Sequence, residues 1–361
     1  MELYILGPVG GVLRPVQLID TFESFIWTER YSDLGDFELV IKSTPITRNL
    51  LTEDTKILCD KSERVMIIES VEDKNDADGN MILDVKGHSL ETIMNDRLST
   101  HGPTTYEGFT PEATIKLIIN HTCIHAEDLG GTVYEDYPGL SLGSLFPFSH
   151  ALPSPSDGIW WNIPTVTMLF DEIKKLADSY GLGFRIVYAG GVFTFNVCTG
   201  TDRTTDQTDV PAIIFSSDLD NLQAIDKLSS IEKYKNVAYV HGGTPAVDEE
   251  YVTAVLDGFS SDYVGFDRRM LYLDVTDIPS DVTDIAGYLN QKGLEALTLL
   301  RKSVIFDGEL NQSKFYKYGV DYNLGDIVEM RDNDNNIFYK KVTEQIFISD
   351  SEGERSYPTL S

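Results

Sequence analysis

Apolar and polar residues alternate through two neighbouring stretches near the N-terminus, residues 24–31 and 37–42. In an extended chain, alternate side chains share one face. The residues that share a face are Phe25, Trp27, Glu29 and Tyr31 in the first stretch and Phe37, Leu39 and Ile41 in the second. The segment between them, Ser-Asp-Leu-Gly-Asp at 32–36, contains a glycine that is free to adopt a positive φ. The pattern predicts a β-hairpin whose aromatic face packs in a core.

The same period of two continues on both sides of this hairpin. It predicts strands at 2–6, 16–20, 56–59, 64–72 and 81–88, and a connection that contains Pro45 at 44–49. The loop at 73–80 is rich in the oxygen ligands that calcium prefers. Its spacing does not fit a calcium-binding helix–loop–helix loop, because no glycine stands at the sixth position. We therefore expect an exposed hairpin loop with Asp78 and Gly79 at its tip.

Helical spacing replaces alternation in four places. The predicted helices are 90–97 after a cap at Ser89, one from Pro111 after a cap at Thr110, one from Val166 to about Gly181 after a cap at Thr165, and 281–302. The third helix is followed by a predicted strand pair at 184–188 and 192–197, which gives this region an α+β pattern. Residues 130–164 are rich in Gly, Pro and Ser and predict a long ordered loop or an irregular β segment.

Alternation returns after the polar segment 199–209. The later predicted strands are 213–216, 235–243, 304–310, 326–330 and 337–348. The predicted fold class is therefore mainly β, with α+β regions.

Charge is the most unusual feature of the composition. The 361 residues include 29 basic and 58 acidic ones, so the formal net charge is −29. Such a chain does not bind nucleic acid by counterion release. It suits basic partners or a surface along which DNA slides without adhering, and solubility explains the charge equally well.

Other compositional features limit the class of protein. Hydrophobic residues make up 42% of the chain, enough for packed cores. Three widely spaced cysteines favour a reduced, cytosolic origin over a disulfide framework. No apolar run approaches the roughly 20 residues needed to span a bilayer, and the N-terminus lacks the basic start of a signal peptide.

Six collinear blocks of sequence resemble the tail-hub proteins of long-tailed bacteriophages. This family of baseplate-hub and tail-associated proteins includes the Gp37-like tail proteins of siphophages. The blocks are Trp-Thr-Glu-Arg-Tyr with Gly-Asp-Phe-Glu-Leu at 27–39, Gly-His-Ser-Leu to Asn-Asp-Arg at 87–97, the helix and strand at 165–186, Phe-Ser, Asn-Leu and Asn-Val-Ala-Tyr-Val at 215–240, residues 265–278, and Tyr-Asn-Leu-Gly-Asp-Ile-Val at 322–328. Met270 stands where the family usually has Glu.

The resemblance implies two tube-type β-barrel domains with peripheral α+β domains. The implied boundaries are 1–97 for the first barrel, 98–209 for a peripheral α+β domain, 210–250 with 304–361 for the second barrel, and 251–303 for a helix-containing insertion. The implied function is structural: a trimeric ring at the tail tip that joins the sixfold tail tube to threefold tip parts and lines the DNA path. Such a protein is made in the host cytoplasm and resides in the virion.

The resemblance also implies partners. They are further copies of the chain, the distal tail protein, the tail tube and tape-measure proteins, and passing DNA that is not specifically bound. A channel for DNA is expected to have an acidic or neutral wall, because Lys or Arg side chains that bind the phosphates would stop the DNA from moving. The candidates for that wall are the acidic turns at 73–80 and 331–336 and the alternating carboxylates of the barrel strands. The alternative is that the acidic residues coat the outside.

No pattern predicts a catalytic, cofactor-binding or metal site. His121 and His125 are spaced for zinc on a helix, but they lie at a helix end with no fourth ligand nearby in sequence. Cys123 has no nucleophile signature around it. Trp160 and Trp161 are more typical of a core or a contact between subunits than of a sugar platform.

We also expect that the protein is not an enzyme. Some phage hub proteins carry a C-terminal peptidase or lysozyme domain, whereas this chain ends soon after its last predicted barrel strand. The alternatives are a cell-wall hydrolase and a carbohydrate-binding host-adhesion protein, which would bind glycan through the loop at Trp160 and Trp161.

Overall fold

A computed structural model describes residues 1–98, 105–106, 109–144, 161–162, 167–219, 221, 226–242, 250–276, 278, 284–307, 316–332 and 336–361. The helices are α1 (Pro45–Leu50), α2 (Pro111–Ile119), α3 (Leu169–Ser179) and α4 (Ile285–Leu299). The strands are β1 (Leu3–Val9), β2 (Val12–Ile19), β3 (Ser24–Arg30), β4 (Asp36–Lys42), β5 (Lys56–Cys59), β6 (Val65–Asn75), β7 (Met81–Ser89), β8 (Thr105–Tyr106), β9 (Leu140–Leu142), β10 (Trp161–Asn162), β11 (Gly183–Ala189), β12 (Val192–Cys198), β13 (Asp202–Arg203), β14 (Ile214–Ser216), β15 (Asp226–Ser230), β16 (Val237–Gly242), β17 (Glu250–Val255), β18 (Met270–Val275), β19 (Ser303–Asp307), β20 (Ile327–Arg331), β21 (Ile337–Asp350) and β22 (Gly353–Leu360).

One sheet of 14 strands contains most of these elements. Its strands follow the order β15-β19-β22-β21-β3-β4-β7-β6-β5-β1-β2, and β20 attaches to β21 and carries β13 and β14. β21 is 14 residues long. Its first half pairs with β20 and its second half with β3, while β22 follows its opposite edge. A single long strand therefore joins the N-terminal and C-terminal parts of the chain.

The predicted mainly β class is confirmed. Strands that the sequence assigned to two barrels share one sheet, which sequence patterns did not indicate. In the part of the chain that the structure describes, the end strands β2 and β15 do not pair with each other. Closure into two barrels therefore stays a prediction.

Four hydrophobic cores define four units. The first β unit (β1–β7) buries the predicted hairpin face, in which Phe25, Trp27 and Leu39 are fully buried. The peripheral unit (α2, α3, β9, β11 and β12) has a core that continues onto Val65 and Ile67 of β6. The second β unit comprises β13–β15 and β19–β22, and Phe215 and Tyr322 lie in its core. The inserted unit (β16–β18 and α4) has the fourth core.

The inserted unit includes a strand that the sequence grouped with the second barrel. β16 pairs in antiparallel fashion with β17 and in parallel with β18, and α4 packs on this sheet. A helix covers one face of these strands because Ala238, Val240 and Ala254 alternate onto it.

Several predicted local features are confirmed. Thr110 caps α2 by accepting the N–H of Ala113, and β11 and β12 form the predicted hairpin. The loop at 73–80 is a hairpin turn, in which Asp76 accepts the N–H groups of Asp78 and Asn80. The hydrogen bonds from Asn80 lower the pKa of Asp76.

Other local predictions are wrong. The segment after Ser89 is a 3-10 helix, Leu90–Asp96, and the Ser89 hydroxyl accepts the N–H of Gly35 instead of capping it. Gly35 is not at a positive φ. A Cβ there would instead overlap the carbonyl oxygen of Thr28, so close packing is what requires glycine.

Helix boundaries also differ from those predicted. The connection around Pro45 is the helix α1, which begins in a capping box formed by Thr44 and Thr47. α3 begins after Met168, and the predicted cap at Thr165 lies outside the described residues.

Candidate functional site: the junction of the units

Tyr31 lies where the first β unit, the peripheral unit and the second β unit meet. Its hydroxyl is 3.0 Å from the carbonyl oxygens of Gly181 and Cys198, both in or beside the peripheral unit. Its N–H donates to the carbonyl of Thr343 in β21, and its carbonyl accepts the N–H of Phe184 in β11. Only 3% of the residue is exposed. One side chain and its backbone therefore tie three parts of the chain together.

Small residues make room for this ring. A Cβ at Gly183 or Gly325 would overlap the ring of Tyr31, and Gly325 also has a φ of +91°. The Nζ of Lys341 lies 5.2 Å from the ring centroid. Burial raises the pKa of Tyr31, so the hydroxyl stays protonated and can donate to the carbonyls around it.

Substitution of Gly325 by alanine tests this packing. Gly325→Ala is expected to lower the free energy of unfolding by roughly 2 to 6 kcal/mol, since a positive φ and an overlap each cost of order 1 to 3 kcal/mol. Gly319 is a matched control because its φ is +79° and a Cβ there would meet nothing within 4 Å. Gly319→Ala is expected to cost only about 1 to 2 kcal/mol. Equal losses in denaturant titrations would contradict the role of the close contact.

A buried ionic cluster lies next to this tyrosine. Glu29 from β3, Arg64 before β6 and Glu91 in the 3-10 turn after β7 are 3%, 2% and 0% exposed. The Nε of Arg64 is 3.7 Å from Oε2 of Glu29, and its Nη1 is 3.9 Å from Oε1 of Glu91. Burial disfavours the charge of Arg64, but the two carboxylates outweigh that effect and raise its pKa.

The cluster reaches into the other two units. Glu91 accepts the N–H of Ile186 in β11 at 2.5 Å. Glu29 accepts the hydroxyl of Tyr318, which belongs to the second β unit, at 2.9 Å, and it also accepts the hydroxyl of Ser62. Burial raises the pKa of Tyr318 well above its usual value, so this hydroxyl remains a donor.

The last resembling block forms a turn that closes the same junction. The buried carboxylate of Asp326 accepts the N–H groups of Thr201 and Asn323 and pairs with Arg203 at 2.6 Å. The neighbouring Tyr322 is fully buried and donates to Gln345 of β21. The first and last resembling blocks thus converge in space, although they lie near opposite ends of the chain.

The opposite face of the large sheet is charged. Side chains from β6, β7, β4, β3 and β21 alternate away from the core on this face. The charged face is defined by Asp36, Glu38, Glu72, Asp84 and Glu344 with Arg30, Lys42, Lys74 and Lys86. Three of these cations pair with carboxylates of the face, for example Lys86 with Glu38 at 3.0 Å and Arg30 with Glu344 at 2.6 Å, whereas Lys42 forms no ion pair within the described residues. Carboxylates outnumber cations on the face.

The large sheet has an apolar edge. β2 is the end strand, and Val12, Val16 and Leu18 on it are 37%, 50% and 40% exposed. Val16 stands at a register shift beside Pro15, which has no N–H to donate. An end strand with exposed apolar side chains is suited to contact with another chain.

The two histidines with zinc-like spacing do not share a ligand cluster within the described residues. His121 belongs to the π-helical turn Asn120–Ile124, and its Nδ1 is buried without a partner among those residues. Cys123 is fully buried, and burial raises its pKa to about 12, so it is inert. His125, which follows the turn, is exposed.

Other candidates fall partly outside the described residues. Trp160 lies outside them, and Trp161 belongs to β10, which pairs with β8. Of the predicted acidic turn at 331–336, residues 333–335 lie outside the described residues, and Asp332 accepts the side-chain and backbone N–H groups of Asn336. Within the described part of the chain, no helix is both long and apolar enough to cross a membrane.

Comparison with models of protein families identifies the family of the chain. The model of the family described as Siphovirus ReqiPepy6 Gp37-like protein matches residues 10–359. The chain belongs to this family. It is accordingly a tail protein of a bacteriophage or prophage. No curated protein matches the sequence.

Solved structures share the fold of this Gp37-like protein at low identity. The tail protein from Neisseria meningitidis MC58 has a TM-score of 0.58 at 14% identity, covering 99% of this chain and 96% of that one. The 43 kDa tail protein of prophage MuSo2 from Shewanella oneidensis has a TM-score of 0.58 at 12% identity, covering 100% and 98%. Prophage tail protein gp18 from Listeria monocytogenes EGD-e has a TM-score of 0.51 at 13% identity, covering 96% and 90%.

Proposed function

We propose that this Gp37-like tail protein is the hub of the tail tip. Three copies close into a ring that joins the sixfold tail tube to threefold tip parts, and each copy contributes two tube-type barrel domains. We assign residues 1–97 to the first barrel, 98–209 to the peripheral domain, 210–250 with 304–361 to the second barrel and 251–303 to the insertion, except that β16 (Val237–Gly242) packs with the insertion. The tail-protein family and the buried junction support the proposal, because a ring needs subunits whose parts keep a fixed geometry.

Sheet edges give the ring a means of closure. A sheet that ends in β2 on one side and β15 on the other has two different edges. Pairing unlike edges of successive copies is a head-to-tail contact, and such contacts form rings when the rotation closes. In the ring, the exposed apolar side chains of β2 are covered by the next copy.

The charged face is proposed to line the DNA path. A wall that binds DNA would hold phosphates with free Lys or Arg and release counterions. On this face, three of the four cations, Arg30, Lys74 and Lys86, are already paired with carboxylates, and acidic groups are in excess. DNA is therefore repelled weakly and passes without specific binding. A lumen with more Lys and Arg than Asp and Glu would contradict this assignment.

The oligomeric state tests the ring. Light scattering and analytical ultracentrifugation of the concentrated protein are expected to show a trimer, and cryo-microscopy of tails is expected to show three copies per ring. Val16→Lys in β2 is expected to shift the protein to monomer without lowering its stability, because Val16 is half exposed. Ile46→Lys is the control, since Ile46 is 70% exposed and belongs to the helix α1 and not to the edge strand. Six copies in the ring would overturn the proposal.

The alternative function, a cell-wall hydrolase, can be tested at one cleft that contains two buried carboxylates. A cleft of about 310 Å³ between α3 and the inserted unit is lined by Glu172 and Glu295, each 7% exposed. Glu295 pairs with Lys292 at 3.2 Å and accepts the side-chain N–H of Gln291 at 3.1 Å, so two donors already hold its carboxylate. Turnover of peptidoglycan that is lost in Glu172→Gln or Glu295→Gln would favour the hydrolase over the hub.

A further inference from the structure

The loop that follows α2 gathers three potential metal ligands from separate turns. His125 follows the π-helical turn, Glu127 lies in the 3-10 turn Ala126–Leu129, and Asp136 follows the 3-10 turn Val133–Glu135. One ligand atom from each lies within 4.8 Å of the other two. None of these residues is used by the junction or by the proposed ring.

Backbone hydrogen bonds hold the two ends of this loop together. The N–H of Tyr137 donates to the carbonyl of Cys123 at 2.8 Å, and the N–H of Ala126 donates to Oδ1 of Asp136 at 3.0 Å. This second bond fixes the Asp136 carboxylate beside His125 while its other oxygen remains available. Gly130, at a φ of +92°, permits the reversal between the two turns.

The charges around the loop favour a cation. Nδ1 of His125 is 3.9 Å from Oε1 of Glu127. Neither Glu127 nor Asp136 forms an ion pair with a Lys or Arg among the described residues. The guanidinium of Arg97 stacks at 4.4 Å over the ring of Tyr137 and donates to the carbonyl of Glu135.

We infer that His125, Glu127 and Asp136 form a binding site for a divalent transition-metal ion of the Zn²⁺ type. One imidazole nitrogen and two carboxylate oxygens are a donor set that Zn²⁺ accepts, with water completing the coordination. Metal–ligand bonds of about 2.1 Å at tetrahedral angles separate donors by about 3.4 Å. Side-chain rotations of the exposed His125 and Glu127 supply the small contraction from the present spacing.

The bound ion links the two 3-10 turns at the outer part of the peripheral unit. It replaces weak attraction between flexible, exposed side chains by three coordinate bonds. Its predicted consequence is local, namely slower opening of the segment 125–136. The site does not depend on the hub proposal, since it lies within a single copy of the chain.

Calorimetric titration of the chelator-treated full chain with Zn²⁺ tests the site. We expect one ion per chain. We also expect the Zn²⁺ affinity to fall at least about tenfold in His125→Ala and in Asp136→Asn, because losing a metal ligand costs at least as much as losing a residue that only hydrogen-bonds to a ligand. Asparagine can still accept the N–H of Ala126, so the loop keeps its shape. Zn²⁺ is also expected to slow amide hydrogen exchange at 125–136 in the unmodified protein only.

Two histidine variants serve as matched controls. His88 pairs with Glu69 at 2.7 Å on the large sheet, and His88→Ala is expected to leave Zn²⁺ affinity unchanged. His121→Ala is expected to leave it unchanged as well. An unchanged affinity in His125→Ala would overturn the inference. An equal loss in His121→Ala would also overturn it, because the pair at 121 and 125 would then be the site.

Discussion

Tyr31→Ala is expected to lower the free energy of unfolding by about 3 to 5 kcal/mol, the range for deleting a large buried aromatic side chain. The substitution leaves a cavity between Gly183 and Gly325, and it removes the donor that faces the carbonyls of Gly181 and Cys198. Backbone movement cannot fill the space easily, because β21 and β11 are both hydrogen-bonded to residue 31. Denaturant titration followed by circular dichroism measures the loss.

Two further variants separate the ring from the hydroxyl. Tyr31→Phe retains the ring and is expected to cost about 1 kcal/mol, because the Cys198 carbonyl loses this donor while the Gly181 carbonyl keeps Lys341. Tyr134→Ala is the control for tyrosine content, since Tyr134 is 83% exposed and its removal should change stability little. A Tyr31→Ala protein as stable as Tyr134→Ala would show that the three units do not depend on this junction.

Arg64→Met is expected to destabilise the protein by about 3 to 5 kcal/mol, because it leaves Glu29 and Glu91 buried without a compensating charge. The loss should not be confined to the first β unit. Glu91 also binds Ile186 of the peripheral unit, and Glu29 binds Tyr318 of the second β unit. Hydrogen exchange is therefore expected to rise in β11 and around Tyr318 as well as in β3.

Neutralising the partners tests whether charge is the cause. The triple variant Arg64→Met, Glu29→Gln, Glu91→Gln is expected to recover at least half of the lost stability, since no buried charge then remains unpaired. Arg301→Ala is the exposed control. Arg301 pairs with Asp257 at 3.3 Å, but both side chains are more than half exposed, so little change is expected. A triple variant no more stable than Arg64→Met would point to lost packing instead.

Local sequence indicated many of the strands and the face that each one buries, although α1, β17, β18 and β22 were not predicted. The alternation at 24–31 correctly placed Phe25, Trp27, Glu29 and Tyr31 on the buried face, because side chains in an extended strand must alternate. The cap at Thr110 and the turn at Asp76 were likewise predicted from sequence, because a cap or turn residue forms hydrogen bonds with groups only a few positions away. The family resemblance, confirmed over residues 10–359, came from these same local blocks.

Local sequence patterns do not predict the junction, because its residues are distant from one another in sequence. The pattern showed that Glu29 is buried, but no local feature indicates that Arg64, Glu91 and Tyr318 surround it. Ser89 looked like a helix cap, and its hydroxyl instead bonds Gly35, 54 positions away. Three-dimensional proximity decides such pairs, and a polar side chain can satisfy its hydrogen bonds in several ways.

By itself, then, the sequence determined a mainly β, acidic chain with strands of known face. Tertiary structure decided that β3 and β20 both pair with β21, and that β16 belongs to the inserted unit rather than to the large sheet. The physical reason is that strands pair through backbone N–H and C=O groups, which are the same in nearly every residue. Alternation fixes the face of a strand, whereas its neighbour is selected only when the buried face packs into a core.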